Sequence, residues 1–296
     1  MIGILGCGSP EPASPPTAPP APAAEPRTRV FVIGSGTPIP DPDRGGPATA
    51  VVIDGRALLF DAGPGVLRGL AAAGVAPDEV EHVFLTHLHS DHTLGLDEMI
   101  LGAWTAGRDR QLHVHGPPGV ASMVEHLEAA FTEDRVLRVE GLENGDPAGA
   151  GVEVSEVVEG GVWRDGEVTV TAFEVDHGSW EHALGYRVEG PDRVVVISGD
   201  TAPSEAVVRA CDGCDVLVHE AYSTAGWRAR PEGFRAYHAA FHTSGEQLGR
   251  LAARARPRRL VLTHLLFFGQ SPAQVLGEVR AGFEGDVVIG EDGESY

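Results

Sequence analysis

Thr86-His87-Leu88-His89-Ser90-Asp91-His92 follows directly on the apolar run Val80–Leu85, and its reading decides the fold. Three imidazoles and one carboxylate fall within six residues, just after a buried-type strand. In an extended loop His87 and His89 point the same way, because side chains alternate with a period of two. Asp91 and His92 can then turn toward a second centre. Neutral imidazole and carboxylate together suit zinc or a similar borderline metal. A plain surface histidine cluster would need no further ligands, yet the sequence offers more of them at comparable strand ends. His177 follows Val168–Asp176, Asp200 follows Val194–Gly199, and His264 follows Leu260–Thr263. Each is a strand running into a ligand-type residue, and together they suffice for two metals.

Outward from this stretch, short apolar strands alternate with amphipathic helices. Arg29–Gly34 reads as a strand. Ala50–Ile53 and Ala57–Phe60 read as a hairpin around Asp54-Gly55, a dipeptide suited to a tight turn. Helices are expected over Val66–Ala73, Leu94–Thr105 and Val120–Phe131. A second group of strands follows at Val152–Val158, Val168–Val175, Leu184–Val188 and Val194–Ile197. The remainder reads as a helix over Pro203–Ala210, a strand over Val216–Val218, a helix over Ser244–Arg254 and a strand over Leu260–Leu262. Two half-sheets packed face to face with helices outside satisfy this order, an α/β four-layer αβ/βα sandwich.

The His87–His92 run resembles the metal signature of the metallo-β-lactamase fold superfamily. Leu59-Phe60-Asp61-Ala62-Gly63, His177, Ser198-Gly199-Asp200-Thr201 and Leu262-Thr263-His264 match its other motifs in order, so the resemblance covers about residues 29–296. Within the superfamily the chain is similar to the branch holding ribonuclease Z and the zinc-dependent arylsulfatases. Gly34-Ser35-Gly36-Thr37-Pro38, Asp176-His177-Gly178 through Gly185-Tyr186-Arg187, and His242-Thr243-Ser244 carry that narrower match. The resemblance implies one metal held by His87, His89 and His177, and a second held by Asp91, His92 and His264, with Asp200 bridging. Two such ions, zinc first and manganese or iron(II) with the same ligands, would supply a nucleophilic water at neutral pH and stabilise charge on the attacking and leaving oxygens. The resemblance also makes Asp91 a proton acceptor and Asp61 a residue that orients the histidine loop. It makes His242 the group that stabilises or protonates the leaving group. His219 and Glu220 are candidates for supporting the ligands. Thr243 or Ser244 can cap the helix that follows.

The same residues bear on substrate. The Ser35–Pro47 stretch, with Asp41-Pro42-Asp43-Arg44-Gly45-Gly46-Pro47, looks more like the arylsulfatase-type members. Bacterial ribonuclease Z proteins usually carry a protruding arm between the motifs matched by Gly185-Tyr186-Arg187 and Asp200. Only residues 188–197 lie between them here, which leaves no room for an arm. The first expectation is therefore a small-molecule ester hydrolase acting on sulfate monoesters, with phosphodiesters second. A ribonuclease Z-like endoribonuclease and a β-lactam or lactone hydrolase are the alternatives, and a non-catalytic metal-binding module stands last. Tyr222–Phe241 holds Trp227, Arg228, Arg230 and Arg235 just before His242, where an arginine could grip a sulfate or phosphate oxygen. Trp180 could add an apolar wall. The branch often dimerises, so a homodimer is also expected.

Composition agrees with an enzyme and disfavours nucleic acid as a partner. The chain has 296 residues, 43 acidic against 22 basic, a formal net charge of -21, and no lysine. Such a surface repels phosphate backbones. No run approaches the length of a transmembrane helix. Residues 10–26 hold eight prolines and five alanines and read as an extended linker within a lead over 1–28. Ile4-Leu5-Gly6-Cys7 looks like a lipobox with Cys7 as a lipid anchor, but the charged and apolar regions that should precede it are missing. The chain is thus either a periplasmic lipoprotein with a truncated signal or cytoplasmic. Cys211-Asp212-Gly213-Cys214 has redox or metal-binding spacing, yet it is unaccompanied by a second pair and reads as structural.

Overall fold

The computed structural model describes residues 26–296. The expected linker and lipobox lie outside these residues. One sheet holds six strands in the order β1 (Thr28–Gly34), β2 (Ala48–Ile53), β3 (Arg56–Phe60), β4 (Val80–Phe84), β5 (Leu112–Gly116) and β6 (Val152–Glu156). The other holds seven: β7 (Val162–Asp165), β8 (Val168–Glu174), β9 (Leu184–Glu189), β10 (Val194–Ile197), β11 (Val216–Tyr222), β12 (Arg259–Leu266) and β13 (Asp286–Ile289). The helices are α1 (Val66–Ala72), α2 (Ser90–Thr93), α3 (Ala103–Ala106), α4 (Val120–Ala130), α5 (Thr132–Glu140), α6 (Glu205–Cys211), α7 (Thr224–Arg228), α8 (Glu232–Phe241), α9 (Gly245–Ala255) and α10 (Pro272–Arg280).

The four layers follow from strand periodicity. Along β1, Val30 and Val32 face the other sheet, whereas Phe31 and Ile33 face the core under α1 and α4. A third core lies between the second sheet and α6, α9 and α10. Asp54 and Gly55 turn the β2–β3 hairpin with φ of 50° and 87°, as that dipeptide favours. α9 and α10 start at capping boxes built by Ser244 with Gln247 and Ser271 with Gln274. The fold also takes in Arg27, whose guanidinium lies 2.6 Å from Asp54.

Several elements depart from the sequence reading. The expected helix over 94–105 is broken: a turn at 94–95 leads to a π-helical segment Glu98–Gly102 and then α3. At Gly95 the chain passes so close to the loop before α1 that an added Cβ would lie 2.2 Å from the Gly63 carbonyl oxygen. β11 and β12 run longer than expected and enclose His219, Glu220 and His264. The stretch Tyr222–Phe241 before His242, for which no helix was expected, is mostly α7 and α8. Cys211 and Cys214 form a disulfide that joins the end of α6 to the turn before β11. No helix of the described residues is long and apolar enough to cross a membrane.

The interface between the sheets contains a histidine group that the sequence reading did not single out. His82 on β4 stacks on His113 and packs on Trp163, with its Nδ1 3.1 Å from Nε2 of His115. Burial pushes both His82 and His115 down to about 4, helped by repulsion from the neighbouring imidazoles. The unfolded chain therefore binds more protons between about pH 6.5 and 4, and stability falls as pH drops through that window. Replacing both residues, His82→Phe with His115→Phe, is expected to flatten the loss of thermal stability between pH 7 and pH 5. An equal pH dependence in wild type and variant would remove these residues as the cause.

Candidate metal centre

The site lies where the strands of both sheets end. β4 runs into the histidine loop, while β8, β10 and β12 share one direction and deliver His177, Asp200 and His264. His89 is extended, at φ -62° and ψ 147°, and α2 begins directly after it at Ser90, which brings the His92 ring to 4.2 Å from that of His87. Ligand atoms of His87, His89 and His177 lie within 4.8 Å of one another, as do those of Asp91, His92 and His264. Asp200 joins both sides. Its Oδ2 is 3.4 Å from Nε2 of His92 and 3.4 Å from Nε2 of His264, and it also groups with His87 and with His177.

The far nitrogens show whether these rings suit a cation. His177 Nδ1 donates to the Phe241 carbonyl at 2.7 Å, leaving Nε2 with a free lone pair. His92 Nδ1 donates to Asp61 at 2.8 Å, and its Nε2 is buried without a hydrogen-bond partner. His87 Nδ1 lies 3.0 Å from the Thr86 hydroxyl, which itself donates to Asp61. Such outer contacts fix ring orientation and tautomer for metal binding. Asp61 is held in the left-handed region, at φ 61°, and also accepts from the Thr86 amide at 2.8 Å. The donor set fits two divalent cations.

The charges divide the imidazoles. Burial pushes His87 well below the usual imidazole range, and His177 to about 4, so both are neutral at pH 7, the form in which an imidazole can hold a metal. Burial opposes charge on His92 too, but Asp200 and Asp61 overcome it and hold His92 well above the ordinary value. Asp200 stays ionised against its burial because His264 and His92 face it.

His242 caps the C-terminus of α8 and lies beside the cluster, with Nδ1 3.8 Å from Asp200 and 3.6 Å from Glu220. Glu220 is 1% exposed and accepts from the Thr243 amide at 2.9 Å, so the strand and the His242 turn are tied together. Ser244, rather than Thr243, caps α9, because the Thr243 hydroxyl donates to the Thr201 carbonyl. His219 is buried with Nδ1 on the Glu220 carbonyl, and it joins none of the ligand groups.

The tentative substrate residues divide. Arg228 forms a two-pronged pair with Glu246. Arg230 bonds the Phe268 carbonyl and lies over Phe234. Arg235 lies over the ring of Trp227, whose indole donates back to the Arg235 carbonyl. These four side chains are engaged within and beside the α7–α8 unit, so the structure does not bring them to the cluster. Trp180 does reach it, as a hydrogen-bond donor rather than a wall: its Nε1 lies 2.8 Å from Nε2 of His89. An indole N–H only donates, so His89 carries its proton on Nδ1, the atom facing His87 and His177. A cation bound through Nδ1 moves that proton to Nε2, where it would face the indole N–H. Zinc titration is therefore expected to change tryptophan emission, and Trp180→Phe to abolish the change. A signal that survived in the variant would assign it to another tryptophan.

Sequence reasoning missed two further residues near the site. A cleft of about 620 Å³ opens onto Asp91 between the Thr37–Gly46 arch and α1, and the exposed Arg68 of α1 lines it beside Arg44. Asp292 also lines it. Arg68 falls within an ordinary amphipathic helix pattern, and Asp292 within what reads as a terminal turn.

The sequence pattern of the β-lactamase superfamily domain matches residues 56–265. A ribonuclease Z of Mycobacterium sp. (strain KMS) is 37% identical over 242 residues, covering 80% of this chain and 84% of that one. Among solved structures, the metallo-β-lactamase fold protein YhfI from Bacillus subtilis superposes with a TM-score of 0.71 at 20% identity, covering 91% of this chain and 98% of that one. The short form of human tRNase Z does so with a TM-score of 0.68 at 21% identity, covering 90% and 98%.

Proposed function

The chain belongs to the β-lactamase superfamily, and from that premise we propose a two-metal phosphodiesterase of the ribonuclease Z type. It is a metal-dependent hydrolase acting on ester bonds. A relative 37% identical over 242 aligned residues is a ribonuclease Z, which moves phosphodiesters ahead of the sulfate monoesters expected first. The observation that supports the reading is His242, 3.8 Å from Asp200, beside clustered histidines and aspartates that could hold two metals. A binding module needs the ligands but has no use for that imidazole.

His87, His89 and His177 would hold one ion, and Asp91, His92 and His264 the other, with Asp200 shared. Bound there, the ions would supply a nucleophilic water at neutral pH and would offset charge at the phosphorus oxygens. Asp91 is placed to take the proton of that water. As the new O–P bond forms and the leaving O–P bond breaks, His242 gives its proton to the departing oxygen, yielding an alcohol and a phosphate monoester. Glu220 counters the charge on protonated His242; burial opposes that charge, but Glu220 and then Asp200 raise the imidazole above its ordinary value.

One observation favours a small diester over a folded RNA. β9 and β10 are joined by the tight turn Gly190–Arg193, closed by a 2.9 Å hydrogen bond, on a chain of net charge -21. The test compares a 3′-extended transfer-RNA precursor, bis-p-nitrophenyl phosphate and p-nitrophenyl sulfate on zinc-loaded protein, with and without chelator. Chelator-sensitive turnover of either diester above the sulfate supports the proposal, and the two diesters tell RNA from small substrates. Dominant sulfate turnover, or nitrocefin turnover with neither diester reacting, would overturn it.

A further inference from the structure

β12 pairs with β11 in parallel register up to Thr263 opposite Glu220, and the register resumes with Leu265 opposite Ala221. His264 is the extra residue of this bulge. Its φ is 46°, a left-handed conformation that a histidine adopts at a cost. Bulges re-aim a side chain, and here the imidazole swings toward Asp91 and Asp200. The ladder leaves the His264 amide without a strand partner. It donates instead to the Ser35 carbonyl, at 3.1 Å, from the loop after β1.

Ser35 is fixed in turn from the far end of the chain. Oδ1 of Asp292 accepts from the Ser35 amide at 2.9 Å and from its hydroxyl at 2.6 Å. Oδ2 of the same carboxylate accepts from the Gly45 amide at 2.6 Å. The Arg44 guanidinium donates to the Ser35 hydroxyl at 2.7 Å. The segment carrying Asp292 is itself tied to β1, where Gly293 donates to the Val32 carbonyl at 2.8 Å. One carboxylate thus satisfies three donors, two of them on the residue that holds the strained ligand.

We propose that Asp292 is a positioning residue for the second metal: through Ser35 it keeps the His264 bulge in the conformation that presents Nε2 to Asp91 and Asp200. The proposal rests on the reading that His264 holds a metal. Removing an outer partner of a ligand typically weakens metal affinity about 10–100-fold. Asp292→Ala leaves the Ser35 and Gly45 donors unpaired and is expected to reduce zinc content toward one ion per chain at limiting zinc. Affinity for the second ion falls by that factor, and the cobalt(II) absorption spectrum of the second site changes. Asp292→Asn keeps an oxygen that can take both Ser35 donors and is expected to restore most of the affinity. If Asp292→Ala does not accumulate as folded protein, Asp292→Ser is read the same way, since its short hydroxyl cannot serve all three donors. Wild-type affinity and an unchanged cobalt spectrum in a folded Asp292→Ala or Asp292→Ser, where His264→Ala has lost one ion, would overturn the role of Asp292 alone. Two ions retained in His264→Ala would overturn the ligand reading and this proposal together.

Discussion

Asp200→Ala is expected to lose both bound metal and turnover, with activity falling by about three orders of magnitude or more. The size follows from what the residue does. Two-metal stabilisation contributes several kcal/mol to the transition state, and each 1.36 kcal/mol is about tenfold in rate. Asp200 is the group common to both sides of the cluster, with Oδ2 3.4 Å from the ligand nitrogens of His92 and of His264. It is 4% exposed, so no solvent replaces its charge when it is removed. His92 would keep Asp61 as its partner but lose the stronger of the two charges that favour its protonated form. Asp200→Asn is the informative companion, because it keeps an oxygen donor while removing the charge. Zinc content by atomic emission and hydrolysis of bis-p-nitrophenyl phosphate check both variants. Two ions per chain and near wild-type rates in Asp200→Ala would remove Asp200 from the centre.

Much of this cluster was legible because its histidines and aspartates sit where strands end, and strands announce themselves by apolar runs. His87, His177 and Asp200 each follow their strand by three residues. The layered architecture was legible for a related reason: alternation in β1 and the Asp54-Gly55 turn are local signals. What escaped depends on contacts between distant segments. His264 reads as the residue after a strand, but it is a bulge inside one, and the bulge is held by Ser35 more than 200 residues earlier. Arg228, Arg230 and Arg235 looked like anion-binding groups because sequence gives their charge and not their partners. Glu246, the Phe268 carbonyl and the Trp227 ring engage them. Trp180 was read by its apolar ring, whereas its indole N–H makes the contact at the site. The ranking of sulfate ahead of phosphate rested on the Ser35–Pro47 stretch together with the missing arm and the acidic charge, and relatedness over most of the chain outweighs the first of these.

His242→Ala should separate leaving-group chemistry from metal binding. His242 is outside the two ligand triads, so the variant is expected to keep two zinc ions per chain. Its rate on a diester with a poor alkoxide leaving group, such as an RNA 3′ linkage, should fall by about 10²–10⁴-fold, the range for a positioned general acid. On bis-p-nitrophenyl phosphate the loss should be small, because nitrophenolate departs without a proton. This contrast follows from placement: the ring is 7% exposed and shielded from bulk water, which could otherwise deliver the proton. Glu220, 3.6 Å from its Nδ1, supplies the countercharge that keeps the proton available. Glu220→Gln should therefore reproduce the same substrate contrast in weaker form. An equal loss on both kinds of diester would assign His242 to holding the metals or the substrate instead. No loss on the poor leaving group would remove it from the reaction.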